Sequence, residues 1–244
     1  MILNDQPNCF PDHVLVRVSS KQDGTVLDRS AGLHNTDIVN NRIQFCKRVD
    51  VSYNDVVFQR IIYDTRRSYC LIAETDQGST TNFTSEVVAD GLITDQLGVG
   101  LFLPVADCIA TVIYDPAIKR IGLFHLGRHS TYANLAEKAV KHFACLGSKP
   151  EDLIVWMGPH AQKQSYRLEW FDRVDDESWQ GFYENRDGGY YLDMAGYNTA
   201  KMQSQGVKKS NIHVSNVDTM NDENYFSHLQ GNTTSRIGIL VIMR

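Results

Sequence analysis

Cys108 and His125 are the residues of this sequence whose types and spacing could do chemistry. In LPVADCIATVIYDPAIKRIGLFHLGRHS, residues 103–130, Cys108 stands near the start of one apolar run and His125 at the end of the next. A thiol and an imidazole that lie side by side could share a proton or bind a metal ion together. The alternative is a small core cysteine and an ordinary hydrogen-bonded histidine. The choice depends on whether the fold brings the two side chains together.

The two apolar runs are predicted to form a β-hairpin, because the Asp-Pro pair of the intervening YDPAIK is typical of turns. A four-residue loop over 115–118 pairs Tyr114 with Lys119, and the same register places Cys108 directly opposite His125. Opposed residues of an antiparallel pair have Cβ atoms about 4.5 to 5.5 Å apart on one face of the sheet. We therefore predict that the two side chains are direct neighbours.

Further polar side chains gather at the open end of this hairpin, namely Asp107, Arg128, His129 and Ser130. A helix predicted over 131–146 begins directly after them, and the N-terminus of a helix attracts anions such as phosphate. We therefore predict a site that combines a thiol, imidazoles and an anion pocket.

Short runs rich in valine, isoleucine and aromatic residues predict the strands that must position this site. They cover residues 14–18, 56–62, 99–105, 109–114, 120–125, 153–157, 211–215 and 237–243. Apolar periodicity predicts helices over 131–146, 193–205 and 37–47, and the polar stretch 171–190 is predicted to be surface. The mixture indicates an α+β fold with helices covering the sheets, in a single domain over 1–244.

Composition argues against several classes of partner. The net charge is −5 and the 24 lysines and arginines form no long cluster, which argues against nucleic acid and an anionic membrane surface. We find neither a leader pattern nor a run of the roughly 18 to 20 apolar residues that a membrane helix needs. Five widely spaced cysteines without a CxxC pair do not suggest a disulfide framework. We expect a cytoplasmic protein that acts on a small molecule, and we make no prediction of its oligomeric state.

Three segments match a known family in order and spacing. They are ADGLITDQLGVGLFLPVADCIATVIYDP, HLGRHST and MGPHAQKQSY. They resemble ADALVT, TADC followed by a hairpin, HAGWRG and GPAIGP of the YfiH-type family, also called the laccase-domain or multicopper polyphenol oxidoreductase family. The flanking segments AGLHNTDIVNNR and ENYFSHLQGNTTSR resemble its Asn-Arg helix and its FFSYRRD and TGR ending. The resemblance therefore covers most of the chain and is most specific in the central third.

The resemblance implies a three-layer α/β/β/α sandwich with mixed sheets covered by helices. It also implies a metal site, usually assigned to zinc, made from the histidine of QVHG, the cysteine of TADC and the histidine of HAGWRG. The last two correspond to Cys108 and His125. Family members have been assigned purine nucleoside phosphorylase activity, with adenosine deaminase and methylthioadenosine phosphorylase side activities, and older names call them copper-dependent polyphenol oxidases. The fold is also similar to the Cys-His deamidase domain of cytotoxic necrotizing factor toxins.

The sequence departs from the family pattern at this metal site. The QVHG segment corresponds to residues 59–62, so Ile61 stands where the family has its first ligand, and isoleucine cannot bind a metal. His160, in the loop that matches GPAIGP, and His129 are the candidates to replace it. The predicted zinc ligands are Cys108, His125 and His160. Copper is less expected, because the eight scattered histidines contain no HxH pair.

The resemblance also assigns roles to residues of the matching segments. Catalysis is assigned to Cys108, His125 and Asp107. Substrate binding is assigned to Asn41, Arg42, Gln59, Asp90, Arg128 and His129.

Three functions from different classes stay open. The first is a purine nucleoside phosphorylase-type enzyme for adenosine or inosine, in which metal-bound water or phosphate attacks and Asp107, Asp90 or His129 handles a proton. The second is a metal-free Cys-His hydrolase or deamidase, in which His125 lowers the pKa of the thiol. The third is a binding protein that has lost the catalytic site. Polyphenol oxidation, as in the family name, ranks last.

Overall fold

The computed structural model describes residues 1–32, 34–63, 70–231 and 233–244. The strands within these ranges are β1 (Val14–Val18), β2 (Leu27–Asp28), β3 (Val56–Arg60), β4 (Ile72–Glu74), β5 (Val87–Val88), β6 (Gly91–Thr94), β7 (Gly100–Val105), β8 (Ile109–Asp115), β9 (Arg120–Leu126), β10 (Ile154–Met157), β11 (Arg167–Leu168), β12 (Tyr183–Arg186), β13 (Gly189–Leu192), β14 (Ile212–Val214) and β15 (Ser235–Met243). The helices are α1 (Thr36–Arg48), α2 (Arg128–Tyr132), α3 (Leu135–Cys145), α4 (Met194–Ser204) and α5 (His228–Gly231). Each predicted strand is present with small shifts at its ends, and the predicted helices over 37–47 and 193–205 are confirmed as α1 and α4.

The strands form two large mixed sheets and one small one. The first sheet has the order β1-β15-β7-β3-β5, with β2 beside β15, and the second has the order β14-β10-β8-β9-β6-β4. Each contains parallel and antiparallel neighbours, for example β3 parallel to β7 and β15 antiparallel to β7. The small sheet is β11-β13-β12.

The two large sheets pack face to face, and helices cover their outer faces. Between the sheets lie apolar side chains from both, such as Leu103 and Val241 of the first sheet and Val112 and Leu123 of the second. The helix α1 packs on the outer face of the first sheet. The helices α3 and α4 pack on the outer face of the second sheet, where Phe124 meets Phe143. The predicted α/β/β/α order of layers is therefore present.

The hairpin β8-β9 has a different register from the predicted one. Asp115 pairs with Arg120, and Ala110, not Cys108, lies directly opposite His125. The carboxylate of Asp115 accepts hydrogen bonds from the backbone N–H groups of residues 117 and 118, at 2.7 and 3.3 Å, so Asp115 ends the strand. The loop is therefore 116–119 and not 115–118. Because the register moves by two residues, Cys108 still points to the same face as His125, on the diagonal.

The predicted helix over 131–146 is two helices. Asn134 adopts a left-handed conformation with φ 59° and separates α2 from α3. The segment that follows the hairpin is thus the five-residue helix α2, which is too short to supply the predicted anion-binding helix terminus. Any anion site at this end of the hairpin must rely on side chains.

The prediction that 171–190 is surface is wrong in part. This segment contains β12, and within it Phe171 and Trp179 are buried. The Trp179 ring stacks on Tyr197 of α4, with ring centroids 3.8 Å apart, and meets Tyr132 of α2 edge to face. The segment is rich in turn residues, so its sequence indicates surface. The buried aromatic side chains nevertheless pack the small sheet on α2 and α4. In the described ranges, every helix is too short or too polar to cross a membrane.

Candidate functional site

A cavity of about 280 Å³ opens at the end of the hairpin β8-β9, and we call it the arginine cavity. Its wall comes from the hairpin end, from α2, from the segment after β3 and from the C-terminal part of the chain. The lining residues used below are Arg29, Tyr63, Cys108, His125, Gly127, Arg128, His129, Tyr166, Leu168, His228 and Arg236. Parts of the chain that are far apart in sequence therefore build one site.

Cys108 and His125 face one small space beside Gly127, which we call the notch. The position that a Cβ atom of residue 127 would take lies 3.0 Å from Cys108 Sγ and 3.1 Å from His125 Nε2. Cys108 Sγ and His125 Nε2 therefore lie close to each other, because both are within 3.1 Å of the same point. Only a glycine leaves the notch open, since any other side chain would start inside it.

Backbone contacts hold His125 in this position. Its N–H donates to the carbonyl of Asp90 at 2.8 Å, and its own carbonyl accepts from the Ser130 hydroxyl at 2.6 Å. The Ser130 hydroxyl also accepts from the N–H of Gly127 at 2.9 Å. The Tyr63 ring meets the imidazole edge to face, with centroids 6.2 Å apart. These hydrogen bonds join the end of the strand to the first turn of α2 at the histidine.

The thiol and the imidazole are both neutral at pH 7. Burial, and then the nearby charge of Asp107, raise the pKa of Cys108 to about 12. Burial, and then the positive charges of Arg236 and His129, lower the pKa of His125 to about 4. In this environment the pair is a set of hydrogen-bonding groups and not a thiolate and an imidazolium.

Positive charge dominates the wall of the arginine cavity. Arg29, Arg128 and Arg236 line it together with His129 and His228, and no carboxylate belongs to the described lining. Arg29 lies over the Tyr63 ring, 4.9 Å from its centroid. Arg236 is buried, and its Nη1 donates to the carbonyls of residues 233 and 235 at 3.0 and 2.8 Å. Guanidinium groups that line a cavity in which no described carboxylate takes part attract an anion.

A second cavity, of about 330 Å³, adjoins the first, and we call it the side cavity. The two share Arg29, Tyr63, Pro104 and Arg236. Phe58, Ile61 and Ile62 form its apolar wall. Ile61, which the resemblance places at the position of the family's first metal ligand, belongs to the side cavity and is absent from the described lining of the arginine cavity.

Asp107 is assigned to catalysis by the resemblance, but its carboxylate is occupied by structural contacts. It accepts hydrogen bonds from the hydroxyls of Thr219 and Ser227 at 2.7 and 3.1 Å and from the N–H of Leu229 at 2.7 Å. Its backbone has φ 67° at the corner between β7 and β8. Asp107 therefore ties this corner to the segments 219–229, and it does not line either cavity.

Four residues assigned to substrate binding lie outside the described lining of both cavities: Asn41, Arg42, Gln59 and Asp90. The Asn41 amide and the Arg42 guanidinium donate to the carbonyls of residues 25 and 26, at 3.0 and 2.6 Å. The buried Gln59 donates to the carbonyl of residue 89 at 3.1 Å, and the Asp90 carboxylate accepts from the N–H of residue 71 at 3.0 Å. These contacts stabilise the scaffold around the site. Arg128 and His129, in contrast, line the arginine cavity.

The donor set does not fit a three-ligand zinc site. His160 is buried, its Nδ1 bonds the carbonyl of residue 158 at 2.7 Å, and it is not part of the described lining of the arginine cavity. Among the residues that the structure describes, no three His, Cys, Asp or Glu side chains come close enough together to hold a metal ion. A catalytic zinc normally has three protein ligands and one open position.

Several lining residues escape the sequence analysis. Arg29 and Tyr63 lie outside the segments that resemble the family, and Tyr166 and His228 lie inside such segments without an assigned role. The fold brings all four to Cys108. Arg236 had a signal, since it ends the segment that resembles the family's TGR ending. The charge of Arg236 within this flanking segment is the feature from which the sequence analysis could have predicted it as a site residue.

The sandwich of two mixed sheets, with a Cys-His notch at the end of its central hairpin, has the fold of the YfiH-type proteins. The hypothetical protein YfiH of Bacillus licheniformis superimposes with a TM-score of 0.83 at 22% identity over 96% of this chain and 94% of that protein. YlmD of Geobacillus stearothermophilus gives 0.82 at 25% identity over 96% and 93%.

The chain belongs to the multi-copper polyphenol oxidoreductase laccase family, whose model matches residues 20–244. Curated relatives include the purine nucleoside phosphorylases YlmD of G. stearothermophilus and of Bacillus subtilis. The first is 28% identical over 87% of this chain and 82% of its own length. The second is 26% identical over 82% and 76%.

Proposed function

We propose that the protein is a purine nucleoside phosphorylase-type enzyme that acts on adenosine or inosine and phosphate. The observation that carries the proposal is the arginine cavity, whose three guanidinium groups face no described carboxylate. Such a wall suits the phosphate co-substrate. The names of the relatives supply the nucleoside part of the proposal.

The aromatic and apolar part of the same wall suits the nucleoside. Tyr63 is exposed beside the notch, and Tyr166 and Leu168 line the other side of the cavity. Flat rings and apolar side chains can stack against a purine. The side cavity continues from Tyr63 and adds Phe58 and Ile62, so the base has room next to the phosphate.

In phosphorolysis a phosphate oxygen attacks C1′ of the ribose. The C1′–O bond forms while the bond from C1′ to the purine nitrogen breaks, and the electron pair of that bond goes to the base. The proton that the attacking hydrogen phosphate gives up passes to the base, and the products are ribose 1-phosphate and the free purine. Arg29, Arg128 and Arg236 would bind and orient the phosphate, and the aromatic residues would hold the sugar and base in line for attack.

The competing functions have less support from the geometry. A Cys-His hydrolase needs a reactive thiolate, whereas burial raises the pKa of Cys108 to about 12. A binding protein that has lost the catalytic site would bind the anion without releasing free base, and the test below separates it from the enzyme. The five cysteines are all free, which accords with a cytoplasmic location.

The test is release of free base from inosine and adenosine with and without phosphate, followed by detection of ribose 1-phosphate. We expect release to depend on phosphate and the KM for phosphate to rise about tenfold or more in Arg128→Gln, because one charge-assisted contact is lost. Arg186→Gln is the matched control, since Arg186 stacks on Tyr191 in the small sheet. Base release that is independent of phosphate, or no release at all, contradicts the proposal.

A further inference from the structure

We propose that the notch between Cys108 and His125 binds a phosphate-class oxyanion directly, in the place where the family resemblance puts a metal ion. The inference depends on the proposed function only for the choice of phosphate as the anion. Its physical basis is the set of charges and hydrogen-bonding groups around the notch.

The charges favour an anion over a metal cation. Arg29, Arg128 and Arg236 enter the cavity from three different segments, and no described carboxylate lines it. The carboxylate of Asp107, which acts on Cys108 and Arg236 from behind the lining, opposes three positive charges with one negative charge. A divalent cation placed among them would be repelled by each of the three guanidinium groups, and among the described residues the negative charges of Asp107 and of a Cys108 thiolate would offset only part of that repulsion. An oxyanion in the same place is attracted by all three.

The hydrogen-bonding capacity of His125 is unused. The residue is buried, its Nε2 faces the notch, and its Nδ1 has no hydrogen-bond partner among the described residues. A ligand in the notch would bond Nε2, because that is the ring nitrogen that lies there. In the tautomer that carries its proton on Nε2, the imidazole donates to an oxygen in the notch.

Cys108 can complete the same set of donors. Its Sγ lies as close to the notch as the imidazole does, and a neutral thiol is a weak hydrogen-bond donor. The thiol, the imidazole and the guanidinium groups together surround one oxyanion with donors. None of these roles needs the ligand that Ile61 replaces.

Gly127 leaves the notch accessible, because a methyl group on residue 127 would lie within 3.1 Å of both side chains. Cys108, His125 and Gly127 all line the arginine cavity. An oxyanion in the cavity can therefore place one oxygen against the thiol and the imidazole while the rest of the anion lies toward the arginines.

The experiment measures binding of inorganic phosphate and of zinc to the full chain by titration calorimetry, without nucleoside. We expect the wild-type protein to bind one phosphate and no stoichiometric zinc. Cys108→Ser, which keeps a donor, should bind phosphate within about threefold of the wild type. Cys108→Val, which removes the donor, should bind about tenfold more weakly.

Cys9→Val is the matched control, because Cys9 is also partly buried but packs in the core between the sheets. Circular dichroism of each variant confirms that it is folded. One tightly bound zinc per wild-type chain that is lost in Cys108→Ser would overturn the inference. Unchanged phosphate affinity in Cys108→Val would overturn it as well.

The two proposals fail in different ways. If phosphate binds in the notch and no nucleoside is cleaved, the inference stands and the proposed function fails. If nucleosides are cleaved with phosphate while the KM for phosphate is unaffected by Cys108→Val, the proposed function stands and the inference fails.

Discussion

At Gly127 a hydrogen atom in place of a side chain keeps the notch open. The position of a Cβ atom there lies 2.9 Å from His125 Cε1 and 3.0 Å from Cys108 Sγ, closer than ordinary carbon contacts. The backbone of Gly127 is extended, so the glycine is needed for space and not for an unusual conformation. Another residue could adopt this backbone conformation, so glycine is required here by the space at the site and not by the fold.

Gly127→Ala is expected to fill the notch and to weaken phosphate binding at least tenfold. The added methyl group pushes the His125 ring and the thiol apart, so the donors no longer converge on one oxygen. The measurement is phosphate affinity by calorimetry. Gly231→Ala is the matched control, since its Cβ atom would meet no atom within 4 Å. Equal affinity in the Gly127 variant and the control would contradict this account.

The sequence predicted that Cys108 and His125 lie close together, but it did not predict the groups around them. Cys108 and His125 are close in sequence and lie on one hairpin, so their spacing carried geometric information. Arg29 and Arg236 reach the same cavity from strands and loops that are far from the hairpin in sequence. Nothing local in the sequence encodes such a meeting, because it depends on how the sheets pack.

At the scale of elements, the turn of the β8-β9 hairpin sets the register that places Cys108 relative to His125. Asp115 ends one strand with its carboxylate bonded to the turn, and Lys119 adopts φ 51° before the other strand begins. The Asp-Pro pair predicted a turn correctly. It did not predict which residues belong to the turn, since that depends on the left-handed residue and on the carboxylate contacts.

Lys119→Gly is expected to stabilise the protein by about 0.5 to 1 kcal/mol. The left-handed conformation costs a lysine about 1 to 2 kcal/mol, and part of the gain is offset by the greater freedom of glycine in the unfolded chain. The measurement is the free energy of unfolding in urea.

The neighbouring Ile118→Gly variant is the control for Lys119→Gly. Ile118 is not among the described residues with a positive φ. Glycine relieves no strained conformation there, so we expect Ile118→Gly to destabilise the protein. Destabilisation of similar size in both variants would show that the turn places no conformational demand on residue 119.

At the scale of the whole molecule, the carboxylate of Asp23 joins the N-terminal segment to α1. It is buried and forms ion pairs with the Met1 ammonium group and the Arg48 guanidinium. Burial by itself would raise the pKa of Asp23. Hydrogen bonds from the Met1 ammonium group and from Ser20 outweigh that effect and lower the pKa below its ordinary value of 3.8.

This contact predicts loss of stability in acid. As the pH falls below about 4, the unfolded chain takes up a proton at this carboxyl before the folded chain does, and unfolding becomes more favourable. The contribution is complete above the unfolded pKa and disappears as the pH passes through the folded one. Asp23→Asn should be less stable than the wild type at pH 7 and should lose less further stability in acid. Urea titrations across this range measure both slopes, and parallel slopes would refute the prediction.

The layered fold could be predicted where the buried strands correspond to continuous apolar runs in the sequence. β7 and β8 are buried along their whole length and were found with small errors. The short strands β4 to β6 and the small sheet were missed. Turn residues interrupt them, and the aromatic side chains that fix the small sheet, such as Trp179, have partners on α2 and α4.

The central position of β15 has a consequence for the order in which the protein assembles. β15 lies between β1 and β7, and residues 14–18 pair with residues 239–243. β1 therefore has no strand partner in this sheet until β15 is in place. Arg236 of the same strand reaches the arginine cavity. Contacts between such distant parts of a chain form late, because a large loop must close first. On a ribosome, the hairpin with Cys108 and His125 would be complete well before the strand that gives the first sheet its centre, so binding competence would arrive at the last step of folding.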